Sequence, residues 1–239
     1  DYKVTGVQTC ALPISIVSRP MARGRSFRER SLAVTTPDDG NVRAVVERVF
    51  DEEYYRRHYE DPDTRVYDER VVARLGDFVC SYVRHLEIPV RRVLDLGCGF
   101  GFWKPVVQRH FPNAIYEGVE VSEYLCARFG WTQGSITSFK GLPADLVICQ
   151  GVLQYLDAKE AARAIKTLEH LCQGALYLEV LTKRDWEENV SQARTDGNVY
   201  LRESKWYRDR LRKTFRNGGG GVFFHRDSEA VLYDLEQID

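Results

Sequence analysis

The sequence predicts an α/β fold in which parallel strands alternate with helices packed on both faces of one sheet. Three observations lead there. From Val93 onward, short apolar strands alternate with stretches of helical periodicity. The strand at residues 93–96 breaks into three alternating glycines, Gly97, Gly99 and Gly101, just ahead of a helix. Residues 144–150 form an apolar run interrupted only by Asp145 and the closing Gln150, as suits a parallel strand buried on both faces. With 239 residues the chain is long enough for one large α/β domain with a well-buried core.

Three domain segments are expected: a leader over residues 1–40, N-terminal helices over 41–90, and the α/β domain over 91–239. Residues 4–14, Val-Thr-Gly-Val-Gln-Thr-Cys-Ala-Leu-Pro-Ile, back-translate to a run that resembles a short-read sequencing adapter. Residues 1–20 are therefore read as artefactual, from a metagenomic contig, and Met21, the only methionine, as the start. The segment lacks the apolar core of a secretory signal. Arg19, Arg23, Arg25, Arg28 and Arg30 form a basic stretch, read as a solvated, disordered leader in preference to a nucleic-acid arm.

The elements follow in order. Val42, Val45, Val46, Val49 and Phe50 recur at helical spacing, and Tyr54, Tyr55 and Tyr59 continue that helix to a stop at Asp61-Pro62-Asp63. A second helix is predicted over 68–86, with Val72, Val79 and Val83 on its apolar face. After the strand at 93–96, Pro105 sits in the first turn of the next helix, where its missing N–H costs nothing. Strand two is predicted at 114–121, ending in Glu120, with Ser122 capping the helix behind it. A weak strand three follows at 132–136 and strand four at 144–150. Asp157 and Glu160 make a capping box for a helix carrying Ala161, Ala164, Ile165, Leu168 and Leu171. Strand five is predicted at 175–181. Residues 183–206 read as polar and irregular, then a helix at 206–215. The chain ends in a predicted hairpin, with strands at 222–225 and 230–235 turning at Asp227-Ser228 after a four-glycine loop.

Composition excludes several classes. A net charge of −1 gives no global field for nucleic acid or an anionic membrane. No apolar run reaches the ~20 residues that span a bilayer. The six cysteines contain no C-x-x-C pair, which argues against a zinc ribbon or a thioredoxin-type site, and no metal site is expected. Their apolar settings suit reduced thiols in the cytoplasm.

The stretch Asp95-Leu96-Gly97-Cys98-Gly99-Phe100-Gly101 resembles the first motif of the class I S-adenosylmethionine (SAM) methyltransferases. The resemblance implies a Rossmann-like three-layer sandwich with seven strands in the order 3-2-1-4-5-7-6 and an N-terminal helical lid. It implies SAM as cofactor, with its methionine part against Gly97, Cys98, Gly99 and Gly101 and with Asp95 below the turn. Glu120, 23 residues after Gly97, stands where a ribose-binding acid is expected. Val121, Ser135 and Ile136 would wall the adenine, although many members carry an acid where Ser135 stands. Gln150 and Gly151 end the fourth strand beside the methionine part.

For a catalytic base the sequence offers His225, Glu179 and His58, the first on an apolar strand where histidine is more often structural. A small-molecule acceptor is the default. The amino-directed nucleic-acid motif after strand four and the Pro-Cys pair of cytosine-C5 chemistry are both missing. Its wall is expected in Tyr54, Tyr55, Arg57, Tyr59, Arg65 and Tyr67 of the lid, and in 183–215 with Trp186, Tyr200, Trp206 and Tyr207. Arginines in 183–215 hint at an anionic acceptor. Two alternatives remain open, a non-catalytic SAM-binding module and an NAD-type oxidoreductase. The third glycine comes two positions after the second, not three, which counts against the dinucleotide fingerprint.

Overall fold

A computed structural model describes residues 50–65 and 68–238. The expected leader, residues 42–49 of the first helix, and Tyr67 lie outside the described residues.

One seven-stranded sheet runs in the order β3-β2-β1-β4-β5-β7-β6. The strands are β1 (Arg92–Leu96), β2 (Ile115–Glu120), β3 (Thr132–Gln133), β4 (Ala144–Gln150), β5 (Cys172–Glu179), β6 (Phe215–Asn217) and β7 (Val222–His225). The first five are parallel, and β7 runs antiparallel to both β5 and β6. The helices are α1 (Glu52–Tyr55), α2 (Glu69–His85), α3 (Trp103–His110), α4 (Glu123–Phe129), α5 (Ala158–Leu171), α6 (Lys183–Glu188) and α7 (Ser204–Leu211).

Strand periodicity divides the core into two layers. Val93, Leu146, Ile148 and Ala175 point to the face covered by α2 and α3, where they meet Val79, Val83, Val106 and Val107. Leu94, Leu96, Val147, Cys149 and Leu176 point to the face covered by α5 and α7. The single carboxylate inside the β4 run has a local task. Asp145 Oδ2 accepts the backbone N–H groups of Arg91 and Arg92 at 2.7 and 2.9 Å, anchoring the start of β1 beside β4. The predicted capping box of α5 is formed in both directions by Asp157 and Glu160.

Three expectations are corrected. After α1 the chain does not continue as an α-helix but widens into a π-helical turn, Arg56–Glu60. The segment read as irregular holds α6, which is closed at its start by reciprocal Thr182 and Asp185 bonds. The final hairpin is shifted by one strand. Phe215–Asn217 pairs with Val222–His225, and the four glycines 218–221 make its turn. Residues 230–235 are not a strand. Ala230 and Leu232 are buried and Val231 and Tyr233 exposed, so the alternation is real, but it packs on the α2 face instead of entering the ladder.

The glycine turn explains the shift. Gly219, Gly220 and Gly221 all have positive φ, and a Cβ on Gly221 would stand 3.1 Å from the Leu178 carbonyl oxygen. We predict that Gly221→Ala costs roughly 1–3 kcal/mol, the penalty for a left-handed non-glycine residue. Urea unfolding would show it, and an unchanged midpoint would remove the turn from the list of strained positions.

Candidate active site

β1, β2, β4 and β5 all end at one edge of the sheet, bringing Gly97, Glu120, Gln150 and Glu179 together. In α/β sheets this carboxyl edge, where the strand order reverses, is where ligands bind. Here the reversal falls between β1 and β4.

The three loop glycines share positive φ but differ in what surrounds them. A Cβ on Gly97 would lie 2.4 Å from Val152 Cγ2, and one on Gly101 would lie 2.4 Å from Trp131 Cζ2. On Gly99 it would meet nothing within 4 Å. Gly97 and Gly101 therefore let the protein close on the loop, while Gly99 leaves its backbone open to the cavity. Trp131 also donates its indole N–H to the Gly99 carbonyl at 2.9 Å, fixing the loop from behind.

Glu120 is buried and ties three pieces of backbone together. Its Oε2 accepts the Gly99 N–H at 2.9 Å, and its Oε1 accepts the Val121 and Ser122 N–H groups at 2.9 and 3.0 Å. The Tyr55 hydroxyl donates to the same Oε1 at 3.4 Å. A carboxylate oxygen has two lone pairs. Oε1 is thus fully used, and Oε2 keeps capacity for one more donor.

Asp95 lies on the α3 face of β1 and is 2% exposed. Burial pushes its carboxyl up to about 7, with the nearby Glu120 charge adding to the rise, while a hydrogen bond from the Tyr116 hydroxyl opposes it. Beyond it runs a chain of polar side chains. Trp103 Nε1 donates to Gln150 Oε1 at 2.8 Å, Gln150 Nε2 to Glu179 Oε2 at 3.3 Å, and the Tyr177 hydroxyl to that same oxygen at 2.8 Å.

Two adjoining cavities open along this edge, of about 440 and 190 Å³. Gly97, Gly99, Gln150, Gly151, Tyr54, Tyr59 and Tyr155 border both. The smaller lobe adds Glu120, Val121, Ser135 and Ile136; the larger adds Asp95, Cys98, Glu179 and His58. Of the residues singled out from the sequence, Gly101 stands behind the loop and His225 stands elsewhere. His225 follows the Phe224–Ala175 pair toward the amino end of β5, at the opposite edge of the sheet. There its ring packs against Phe215, and its Nδ1 accepts the Asp227 N–H at 3.2 Å.

The roof is the segment around α1. The Tyr54 and Tyr155 hydroxyls lie 2.9 Å apart, Ser122 Oγ donates to the Phe50 carbonyl at 2.6 Å, and Glu60 pairs with Arg128 at 2.8 Å. His58 lines the larger lobe beneath it. Burial holds its imidazole below the usual value, against the nearby Asp196 charge, which works to raise it.

The wall from residues 181–196 differs from expectation. Trp186 is buried in a small cluster with Val199 and Leu201, and Tyr207 is part of the main core. Asp185, Glu188, Asn189, Ser191, Arg194, Thr195 and Asp196 face the cavity instead. Among the arginines of this segment, Arg202 is 6% exposed and structural. It donates to the carbonyls of Leu153, Tyr200 and Leu156 and to the Tyr207 hydroxyl, pinning the turn after β4. Trp103, Trp131, Tyr177 and Arg202 were not singled out for these tasks. Only the position of Trp103, on the heels of the glycine turn, hinted at one.

No family model and no curated protein matches the chain. Its fold is similar to that of CalS10, an amino pentose methyltransferase from Micromonospora echinaspora whose structure holds SAM. The TM-score is 0.52 at 15% identity, covering 75% of this chain and 99% of that one. An O-methyltransferase family protein from Burkholderia thailandensis matches with a TM-score of 0.49 at 19% identity, over 67% of this chain and 58% of that one. This chain thus spans little more than half the length of that protein. At these identities the likeness is one of fold.

Asp95 gives the site a pH signature. Its folded value lies above its ordinary 3.8, so its contribution to stability is full below about 4 and is lost as pH rises through about 7. Asp95→Asn removes the buried charge. Relative to wild type, the variant should gain up to about 4 kcal/mol in unfolding free energy between pH 4 and pH 8. Urea titrations at both pH values test this, and a pH-independent difference would refute the buried charge.

Proposed function

We propose that this chain is a SAM-dependent methyltransferase acting on a small-molecule acceptor. The observation that carries the reading is the bond from the Gly99 N–H to Glu120 Oε2. It joins a glycine turn and a ribose-type acid at the mouth of a two-lobed cavity. The lobes, at about 440 and 190 Å³, fall within the size range of small-ligand sites. The open face of Gly99 fits a ligand lying against its backbone.

In this reading the backbone of Gly97, Cys98 and Gly99, with Asp95 beneath, holds the methionine part, and Gln150 and Gly151 form its floor. Glu120 accepts one hydroxyl of the ribose diol, using the spare capacity of Oε2. Val121, Ser135 and Ile136 flank the adenine, with Gly101 as the hinge of the loop. Bound SAM supplies a methyl group already activated on a sulfonium. The chain's own residues have to orient the acceptor and exclude water, work that lowers a barrier by roughly 7–11 kcal/mol in well-aligned cases. The larger lobe gives an acceptor room beside Gln150, which favours an enzyme over a non-catalytic SAM-binding module. The glycine spacing favours SAM over a nicotinamide cofactor. Free thiols at Cys80, Cys98, Cys126, Cys149 and Cys172 suit the cytoplasm, and a net charge of −1 suits a small acceptor better than nucleic acid. No described helix is long and apolar enough to cross a membrane.

Among the three base candidates the geometry favours His58. It lines the larger lobe, and its depressed basicity keeps it neutral near pH 7, ready to take a proton. Glu179 is engaged by Tyr177 and Gln150, and His225 is across the sheet.

Two measurements test this. Glu120→Ala, checked for folding by circular dichroism, should weaken SAM binding at least tenfold by calorimetry. Unchanged affinity would show that the ribose is misplaced, and NAD binding in its stead would favour the oxidoreductase. His58→Gln should lower kcat by about 10²-fold or more and flatten the acidic limb of the rate profile. A retained limb would dismiss His58 as the base.

A further inference from the structure

We propose that the larger lobe binds an amine-bearing methyl acceptor in its ammonium form, that the wall following β5 selects it by charge, and that the ammonium gives up a proton to His58 so that its nitrogen lone pair can take the methyl group. This rests on the methyltransferase reading and reverses the expectation of an anionic acceptor drawn from the arginines of 183–215.

The lobe is bordered by five carboxylates, Asp95, Glu179, Asp185, Glu188 and Asp196, against two guanidiniums, Arg65 and Arg194. The acids outnumber these cations. Arg65 already faces Asp68 at 3.7 Å, and Arg194 is exposed to solvent. Three other arginines of the segment are committed. Arg184 bonds Glu188 at 2.8 Å, which offsets that carboxylate and leaves Asp95, Glu179, Asp185 and Asp196 as the acids of the wall, Arg202 donates to carbonyls, and Arg210 stacks on Trp206 at 3.6 Å. SAM carries one net positive charge, and in the proposed placement its methionine part lies over Asp95 at the glycine loop. The remaining acids belong to the acceptor side.

Their field reaches across the lobe. The Asp196 charge bears on Tyr54, His58 and Tyr59 of the roof, and the Glu179 charge on Tyr59. A carboxylate or phosphate entering here would meet like charge, while an ammonium would meet opposite charge in a partly desolvated cleft, where such pairs count for more than in water.

A second observation asks for the same chemistry. Gln154 lines this lobe and is 8% exposed, and its Oε1 has no hydrogen-bond partner among the described residues. An amide oxygen can only accept, and an unpaired buried acceptor is costly enough that a donor is expected to meet it. That oxygen is itself fully buried, so an N–H group on the ligand meets it only once the amide turns toward the lobe. The lobe is also lined by Tyr54, Tyr59, Phe100 and Phe102, and aromatic ring faces attract a cation further.

The test uses the full chain saturated with S-adenosylhomocysteine, whose binding is measured first by calorimetry. Failure at that step would sink the methyltransferase reading itself. Matched probes of opposite charge are then titrated in, benzylamine against benzoate and D-glucosamine against D-glucuronate, and followed by ligand-observed NMR. The amine should bind at least tenfold more tightly in one pair or both. Asp196→Asn combined with Glu188→Gln should cut that preference at least threefold, while S-adenosylhomocysteine binding stays unchanged. A preference for the carboxylate, or no preference in either pair, overturns the proposal.

Discussion

The hydrogen bonds of one buried carboxylate organise the site. Glu120 at the end of β2 holds the Gly99 N–H of the neighbouring strand's turn and the Val121 and Ser122 N–H groups of its own. Without an acceptor there, three backbone donors at a buried strand edge would be unsatisfied, and each is costly to leave so. The glycine turn, the start of α4 and the cavity floor therefore depend on the same two oxygens. The arrangement carries its own cost in Asp95, whose carboxyl is buried nearby and pushed up to about 7. Burial is the main cause of that rise, and the nearby Glu120 charge adds to it.

The roof is fastened to this same point. Tyr55 reaches Glu120 Oε1 at 3.4 Å, the longest of the four bonds that carboxylate receives. Ser122, whose backbone N–H is held by Glu120, reaches the Phe50 carbonyl with its side chain. Glu60 and Arg128 close the outer rim as an exposed pair, which contributes little by itself in water. Aromatic contacts supply more: Tyr55 meets Phe100 edge-on at 5.7 Å, and Phe100 stacks on Phe102 at 5.7 Å. The π-helical turn at Arg56–Glu60 follows directly, a widened turn of the kind that often accompanies functional segments.

Much of this was legible in the sequence, and the failures have physical reasons. The β1 turn and the α5 capping box follow from patterns that act over a few residues, where local rules are strong, while the strand order was implied by the resemblance of the glycine motif. The hairpin at the end was misplaced because 230–235 alternates as a strand does. Alternation reports half-burial, which packing on α2 provides without any ladder. The four glycines were the better signal, since three of them adopt positive φ in the turn. His225 was placed near chemistry because it ends an apolar strand, but a sequence does not state which sheet edge a strand end occupies. The antiparallel direction of β7 puts it away from the ligand edge.

The 181–196 wall was misread for a related reason. Aromatics in a polar stretch suggested a lining, yet Trp186 and Tyr207 face inward and hold the segment to the body. A large aromatic side chain gains more from full burial than from bordering a wet cleft, at roughly 25 cal/mol per Å² removed from water. Arg202 follows the same logic, because a guanidinium with five donors can satisfy several loop carbonyls that would otherwise be stranded. With Trp186, Tyr207 and Arg202 turned inward, the segment presents carboxylates, small polar groups and the exposed Arg194 to the cavity. The sign of the field over the larger lobe is thus a consequence of how this loop folds itself, and not of the chain's overall charge, which is nearly balanced.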